Sequence, residues 1–167
     1  MKFSNLSTKR LFLRELRLDD AEEIFRLRSN KEVNDLIDRP SAKTIDDAIE
    51  FIRKIQAIAV NHGVIMWVIT LIGDAKLIGT ILYWHIEWEK NKAEIGYELL
   101  PEYQGKGIMT EALEKVVEFG FEQLKFKIIN ADPNKKNDKS IRLLEKLGFK
   151  LTDKDGEYLV YCLSSVS

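Results

Sequence analysis

At 167 residues the chain has the size of one domain, long enough to bury roughly 70% of its unfolded surface around one core. Its 26 Lys and Arg against 27 Asp and Glu leave a formal net charge of -1, which excludes recruitment of nucleic acid or membrane by bulk charge. A lone Cys162 excludes an internal disulfide, MKFSNLSTKR lacks the apolar run of a signal peptide, and no stretch approaches the ~20 apolar residues of a spanning helix, so a cytoplasmic protein working as one domain over residues 1–167 is expected.

RLFLREL, residues 10 to 16, alternates apolar and charged side chains and predicts a half-buried strand. DDAEEIFRLRSN follows with acids at its start, as a helix does. Thr44 and Asp47 have the spacing of a capping box, and Ile45, Ala48, Ile49, Ile52, Ile55 and Ala59 recur at helical spacing up to Asn61-His62-Gly63. Three β-rich runs come next, VIMWVITL, KLIGTILYWHI and AEIGYELL, separated by Gly73-Asp74 and by EWEKN, which reads as an antiparallel meander. From Gly107 the spacing of Ile108, Ala112, Leu113, Val116, Val117 and Leu124 is helical again, and KFKIINA predicts a further strand. A last helix over about 138 to 147 starts at Asn137 and stops at Gly148, with Phe149 placed to contact Leu144 as in a Schellman motif. Asp155-Gly156 then predicts a type I′ hairpin. The predicted order is β-α-α-β-β-β-α-β-α-β-β, an α/β (α+β) fold with a mixed, mostly antiparallel sheet flanked by helices.

Between the meander and its following helix lies LPEYQGKGIMTEAL, residues 100 to 113. A strand-to-helix junction leaves the first amides of the helix unpaired, and with the macrodipole these favour an anion such as phosphate. Glycine lets a ligand come close to that backbone, although a glycine turn that only enters a helix uses the same residues. The Walker pattern GxxxxGK with Ser or Thr is not met, and the dinucleotide pattern GxGxxG fails because Thr110 holds its third position.

The chain resembles the GNAT N-acetyltransferases, whose pyrophosphate loop reads Gln/Arg-x-x-Gly-x-Gly/Ala between the fourth strand and the third helix. Here that loop is Gln104-Gly105-Lys106-Gly107-Ile108-Met109, with Met109 departing from the pattern at its last position. More narrowly it is similar to the RimJ/RimL branch of ribosomal-protein-alanine acetyltransferases, through RLFLREL with its following acids, LIGTI, AEIGYELLPEYQGKGIMTEAL, and Asn137-Asp138-Lys139-Ser140 running into IRLLEKLGF. The likeness runs from about Thr8 to Leu163. It implies acetyl-CoA as co-substrate without a metal, and an amine acceptor, either a peptide N-terminus or a small molecule such as an amino acid, polyamine or antibiotic. A non-catalytic CoA-binding module is the alternative, and a homodimer is open to either.

The resemblance also implies roles for residues. Gln104, Gly105, Lys106, Gly107, Ile108, Met109 and Thr110 would cradle the diphosphate, and the backbone of Glu98, Leu99 and Leu100 would meet the pantetheine arm. Pro101, lacking an amide hydrogen, would end the strand and let its neighbours splay. An amine attacks a thioester only when neutral. Deprotonating a lysine of pKa near 10.4 at pH 7 costs roughly 4.6 kcal/mol, against about 1.4 for an α-amine near 8. Glu94 matches a general-base position of the family, with Glu102 and then Glu98 as competing carboxylates and a solvated strand residue as the plain alternative. The tyrosine that serves many GNAT enzymes as acid is replaced by Leu144, an expected core residue, so the branch's serine, Ser140, takes that role, with Asn137 contacting pantetheine or simply capping the helix. His62 and His85 make no recognisable zinc site with one distant cysteine. Trp67, Trp84, Trp88, Tyr83 and Tyr97 read as core or cleft wall.

Overall fold

The structure, a computed structural model, describes residues 3–166. In chain order its elements are β1 (Leu6–Ser7), β2 (Leu11–Arg14), α1 (Ala21–Ser29), α2 (Lys31–Asn34), α3 (Ile45–Val60), β3 (Ile65–Leu71), β4 (Gly79–Glu87), β5 (Lys92–Leu99), α4 (Ile108–Glu122), β6 (Ile128–Ala131), α5 (Asp138–Lys146), β7 (Lys150–Asp155) and β8 (Tyr158–Ser164). The strands form one sheet in the order β1-β2-β3-β4-β5-β6-β8-β7, antiparallel except where β5 pairs β6. Every predicted element is present. Two short ones were not predicted: β1, which pairs Leu6 with Leu13, and the single turn α2, capped by the Asn30 side chain accepting from the Val33 amide at 3.0 Å.

The middle of the sheet is covered on both faces, which is why β3 carries an almost unbroken apolar run instead of an alternation. One face turns Leu11, Leu13, Trp67, Ile81, Tyr83 and Ile95 against Ala112, Leu113 and Val116 of α4. The opposite face turns Met66, Val68 and Leu77 against Ile24 of α1 and Ala48 and Ile52 of α3. The buried Arg14–Asp20 pair joins β2 to the start of α1 by two bonds of 3.0 and 2.7 Å, and Arg14 also donates to the Ala75 carbonyl at 2.7 Å.

The ends of the helices follow their local sequence. Thr44 accepts from the Asp47 amide at 3.2 Å while Asp47 accepts from the Thr44 amide at 3.2 Å, completing the capping box. At the end of α5 the amides of Phe149 and Gly148 donate to the carbonyls of Leu144 and Glu145 at 3.0 and 3.1 Å, the two bonds of a Schellman motif, with Leu144 and Phe149 both buried. The C-terminal hairpin differs from expectation. Asp155 is the last paired residue of β7, opposite Tyr158, and the two-residue loop is Gly156-Glu157. Only Gly156 has a positive φ, of 59°, so the sign pattern is that of a II′ turn and not of the I′ turn that Asp-Gly suggested.

One irregularity positions the site. β5 and β6 pair only from Lys92 with Ile128 to Glu94 with Asn130, although β5 continues to Leu99. Beyond Glu94 the two strands part, and among the described residues the β5 edge over residues 95 to 99 is left without a partner strand. The parting begins seven residues before Pro101, so the proline ends β5 in a 3-10 turn over Pro101–Tyr103 but does not open the cleft.

Candidate active site

The loop at the mouth of this parting is built by two left-handed residues. Gly105 and Gly107 have φ of 76° and 74°, the region that side-chain-bearing residues avoid, with Lys106 between them. The Gln104 side chain donates to the Leu99 carbonyl at 2.9 Å and so holds the loop against the end of β5. Arg10 closes the other side, donating to the Lys106 carbonyl at 2.9 Å and pairing with Glu111 of α4 at 2.8 Å. Among the described residues, no backbone or side-chain acceptor meets the amides of residues 105 to 110; the first intrahelical bond here is the Glu111 amide to the Gly107 carbonyl at 3.1 Å. Six donors are therefore free at the positive end of a 15-residue helix, an arrangement suited to a diphosphate.

The hydrogen-bond alternation of β5 sorts its backbone. The Leu100 amide donates to the Ile78 carbonyl at 2.9 Å, and with Glu98 opposite Thr80 the groups of Glu98 and Leu100 are turned toward β4. The open edge belongs to Ile95, Tyr97 and Leu99. Of the three residues expected to meet a pantetheine arm, Leu99 faces the edge, whereas Glu98 and Leu100 do not, and Tyr97 takes their place.

Side chains of β5 divide by face. Glu94 and Glu98 point to the α1 and α3 face, and Tyr97 points to the α4 and α5 face, where its hydroxyl lies 2.6 Å from that of Ser140. Ser140 is buried in the first turn of α5, held by its amide donating to the Asn137 side chain at 3.2 Å, so Asn137 is the N-cap. Burial pushes the Tyr97 phenol up to about 12, the hydrogen bond with Ser140 opposing the rise, and Tyr97 stays protonated. Leu144 is fully buried, as expected of a core residue.

The three candidate carboxylates stand in different surroundings. Glu98 is paired with Arg39 at 2.5 Å under cover of the segment before α3. Glu102 lies on the rim, paired with Arg26 at 2.7 Å, and this hydrogen bond holds its carboxyl below the usual range, which makes it a poorer base than its place beside the loop suggested. Glu94 alone of the three faces a histidine and a second carboxyl. Its carboxylate is 2.7 Å from Nδ1 of His85, and the carboxyl of Asp132, just past β6, is close enough to feel its charge. Desolvation first, and then the Glu94 carboxylate, push Asp132 up to about 6; Asp155 adds to the rise and His85 opposes it. Two carboxyls sharing one neighbourhood hold the second proton more tightly.

The chain matches the Acetyltransferase (GNAT) domain over residues 10–150. It belongs to the GNAT acetyltransferases. The uncharacterized N-acetyltransferase YoaA of Bacillus subtilis (strain 168) is 37% identical over 147 residues, covering 88% of this chain and 83% of YoaA. The Microcin C7 self immunity acetyltransferase MccE, solved in complex with acetyl-CoA and AMP, superposes with a TM-score of 0.81 at 23% identity, covering 95% and 94% of the two chains. Mycobacterium smegmatis RimJ in complex with CoA-disulfide gives 0.82 at 20%, covering 93% and 82%.

Within this GNAT fold, sequence reasoning missed Arg10, His85, Tyr97 and Asp132 as neighbours of the site. His85 was read only as half of an absent zinc pair, and Tyr97 only as wall. Nothing in the sequence marked His85: a β-bulge, in which two residues of β4 between Trp84 and Glu87 oppose one of β5, brings it to Glu94 with φ 46°, stacked 4.2 Å from Trp84. Trp67 and Tyr83 are core, while Trp84 and Trp88 are 42% and 38% exposed. No helix among the described residues is long and apolar enough to cross a membrane.

Proposed function

We propose that this chain, acting as one domain, transfers the acetyl group of acetyl-CoA to a primary amine, and that the amine is a protein N-terminus, as in the RimJ/RimL branch whose motifs it carries. The observation that carries the reading is the set of six free amides at residues 105 to 110 beside the open edge of β5. A diphosphate fits the first, and an extended arm with amide groups fits the second, because both are unsatisfied hydrogen-bonding surfaces. The complexes of MccE with acetyl-CoA and of RimJ with CoA-disulfide lend support from the same fold.

In this reading the acetyl carbon lies at the edge of β5, the one place from which both of its faces are reached. Glu94 takes the proton of the attacking amine on one face. As the nitrogen–carbon bond forms and the carbon–sulfur bond breaks, Ser140 gives a proton to the departing sulfur on the other face. Tyr97, hydrogen-bonded to Ser140, restores it. Asn137 positions Ser140 as cap of α5, and His85 holds the Glu94 carboxylate in place. An α-amine suits this site because it needs less help to lose its proton than a lysine does.

The test is release of CoA thiol from acetyl-CoA with a panel of N-terminal peptides, amino acids, lysine and spermidine, with mass spectrometry to locate the acetyl group. Peptides acetylated on the α-amine are expected. Acetyl-CoA binding without CoA release from any amine would instead mark a binding module without catalysis.

A further inference from the structure

On the acceptor face of β5, two arginines meet one carboxylate. Arg39 gives Nη1 to Glu98 at 2.5 Å and Nε to the Asn34 side chain at 2.9 Å, while its Nη2 is buried without a hydrogen-bond partner among the described residues. Arg28, from α1, lies with its guanidinium 3.8 Å from the centre of the Phe51 ring. Asn34 ties the Arg39 guanidinium to the backbone of Arg28, because its amide also donates to the Arg28 main-chain carbonyl at 2.6 Å. Glu98 is already paired with Arg39, so Arg28 is a partly buried cation beside a second cation, with no carboxylate of its own. Desolvation first, and then the Arg39 charge, pull Arg28 down to about 10, with the shared Glu98 carboxylate opposing the fall, which leaves it charged at neutral pH. A cation partly withdrawn from water that shares one carboxylate with a second cation is incompletely compensated, and an orphaned buried donor is costly. Both costs fall here when an anion enters.

We infer that Arg28 and Arg39 receive an anionic oxygen group, carboxylate or phosphate, carried by the amine acceptor. This rests on the acetyl-transfer reading and narrows it. Glu94 and Glu98 are four residues apart on one face of β5, about 13 Å of strand at roughly 3.3 Å per residue. An amine at Glu94 and an anion at Arg39 are therefore separated by on the order of 10 Å. The amino and carboxyl groups of one amino acid do not span this. A peptide N-terminus followed by an acidic or phosphorylated residue does, and a polycation such as spermidine is disfavoured by the surplus positive charge.

The experiment compares tripeptide amides with Glu or its neutral twin Gln at the second or third position, and phosphoserine against serine at the same positions. In the wild-type protein the anionic member should exceed its twin at least about tenfold in kcat/KM, the carboxylate and phosphate arms showing which group fits. In Arg28→Gln that ratio should fall toward one, and Arg28→Lys should restore part of it. Equal kcat/KM for the twins, or a preference that survives Arg28→Gln, overturns the inference. Calorimetric binding of the same twins in the presence of CoA reads the site without turnover. An anion preference in binding with no acetylation would count against acetyl transfer alone, and equal binding would count against the anion site.

Discussion

Glu94 and Ser140 lie on opposite faces of one strand, so their substitutions should leave different traces in pH. Glu94→Gln is expected to lower single-turnover acetylation by roughly 10² to 10⁴ near pH 7 with little change in acetyl-CoA affinity, and the deficit should shrink toward the amine's own pKa, where no base is needed. Ser140→Ala should instead lower the rate by a factor that varies little from about pH 6.5 to 9.5. A wild-type rate for Glu94→Gln at low pH would pass the proton to solvent. Asp132 leads to a stability prediction. Its folded pKa, about 6, lies above the unfolded value, so its contribution is whole below about pH 4 and is lost as pH rises through 6. Asp132→Asn should therefore flatten the Tm profile across that window and raise Tm above it, as read by thermal melts at each pH. Glu94 and Ser140 could be named as candidates from the sequence because each sits in a short motif whose chemistry is local. His85, Asp132, Arg28 and Arg39 could not, because what brings them to β5 is a bulge in one neighbouring strand, a parallel register with another and the fold of a loop between helices.

At the scale of elements, caps and stops were readable where their bonds span three to five residues: the capping box of α3 and the Schellman end of α5 formed as their sequences indicated. The two short elements β1 and α2 were missed because two and four residues are too few to display a period. The I′ hairpin was misassigned by one residue, since pairing of Asp155 with Tyr158, a long-range register, decided where the loop began. The junction of β5 and α4 separates a turn from a ligand cradle. Gly107→Val and Gly156→Val place the same branched side chain at φ of 74° and 59°. Both should destabilise the fold by on the order of 1–3 kcal/mol of strain and so lower Tm. Only Gly107→Val should weaken acetyl-CoA binding, by tenfold or more in titration calorimetry. Equal affinities for the two variants would reduce the loop to a turn.

For the whole molecule, ligand linkage provides the broadest check. Acetyl-CoA at a hundredfold excess over its dissociation constant should stabilise the fold by about 2.7 kcal/mol, visible as a rise in Tm. NAD, which carries a second nucleoside where CoA carries its pantetheine arm, should raise Tm far less at equal concentration; equal shifts would remove the basis for a CoA site. The general order of strands and the two-sided core were foreseeable from apolar patterning, but the parting of β5 from β6 was not, since nothing local to Glu94 or Ile95 marks where a partner strand leaves. That parting has a further consequence. A sheet of this kind ordinarily has two edges to defend against pairing with other chains. Here the outer two are guarded by familiar means: β1 is two residues long, and β7 carries Lys150, Asp153, Lys154 and Asp155. The third edge, in the middle of the sheet, is guarded by neither brevity nor charge. What protects it is confinement between β5 and β6, with α4 and α5 packed beside it. A second protein's strand, flanked by its own neighbours, is too broad to enter, so the gap that leaves this edge unpaired also keeps the protein from polymerising through its own centre.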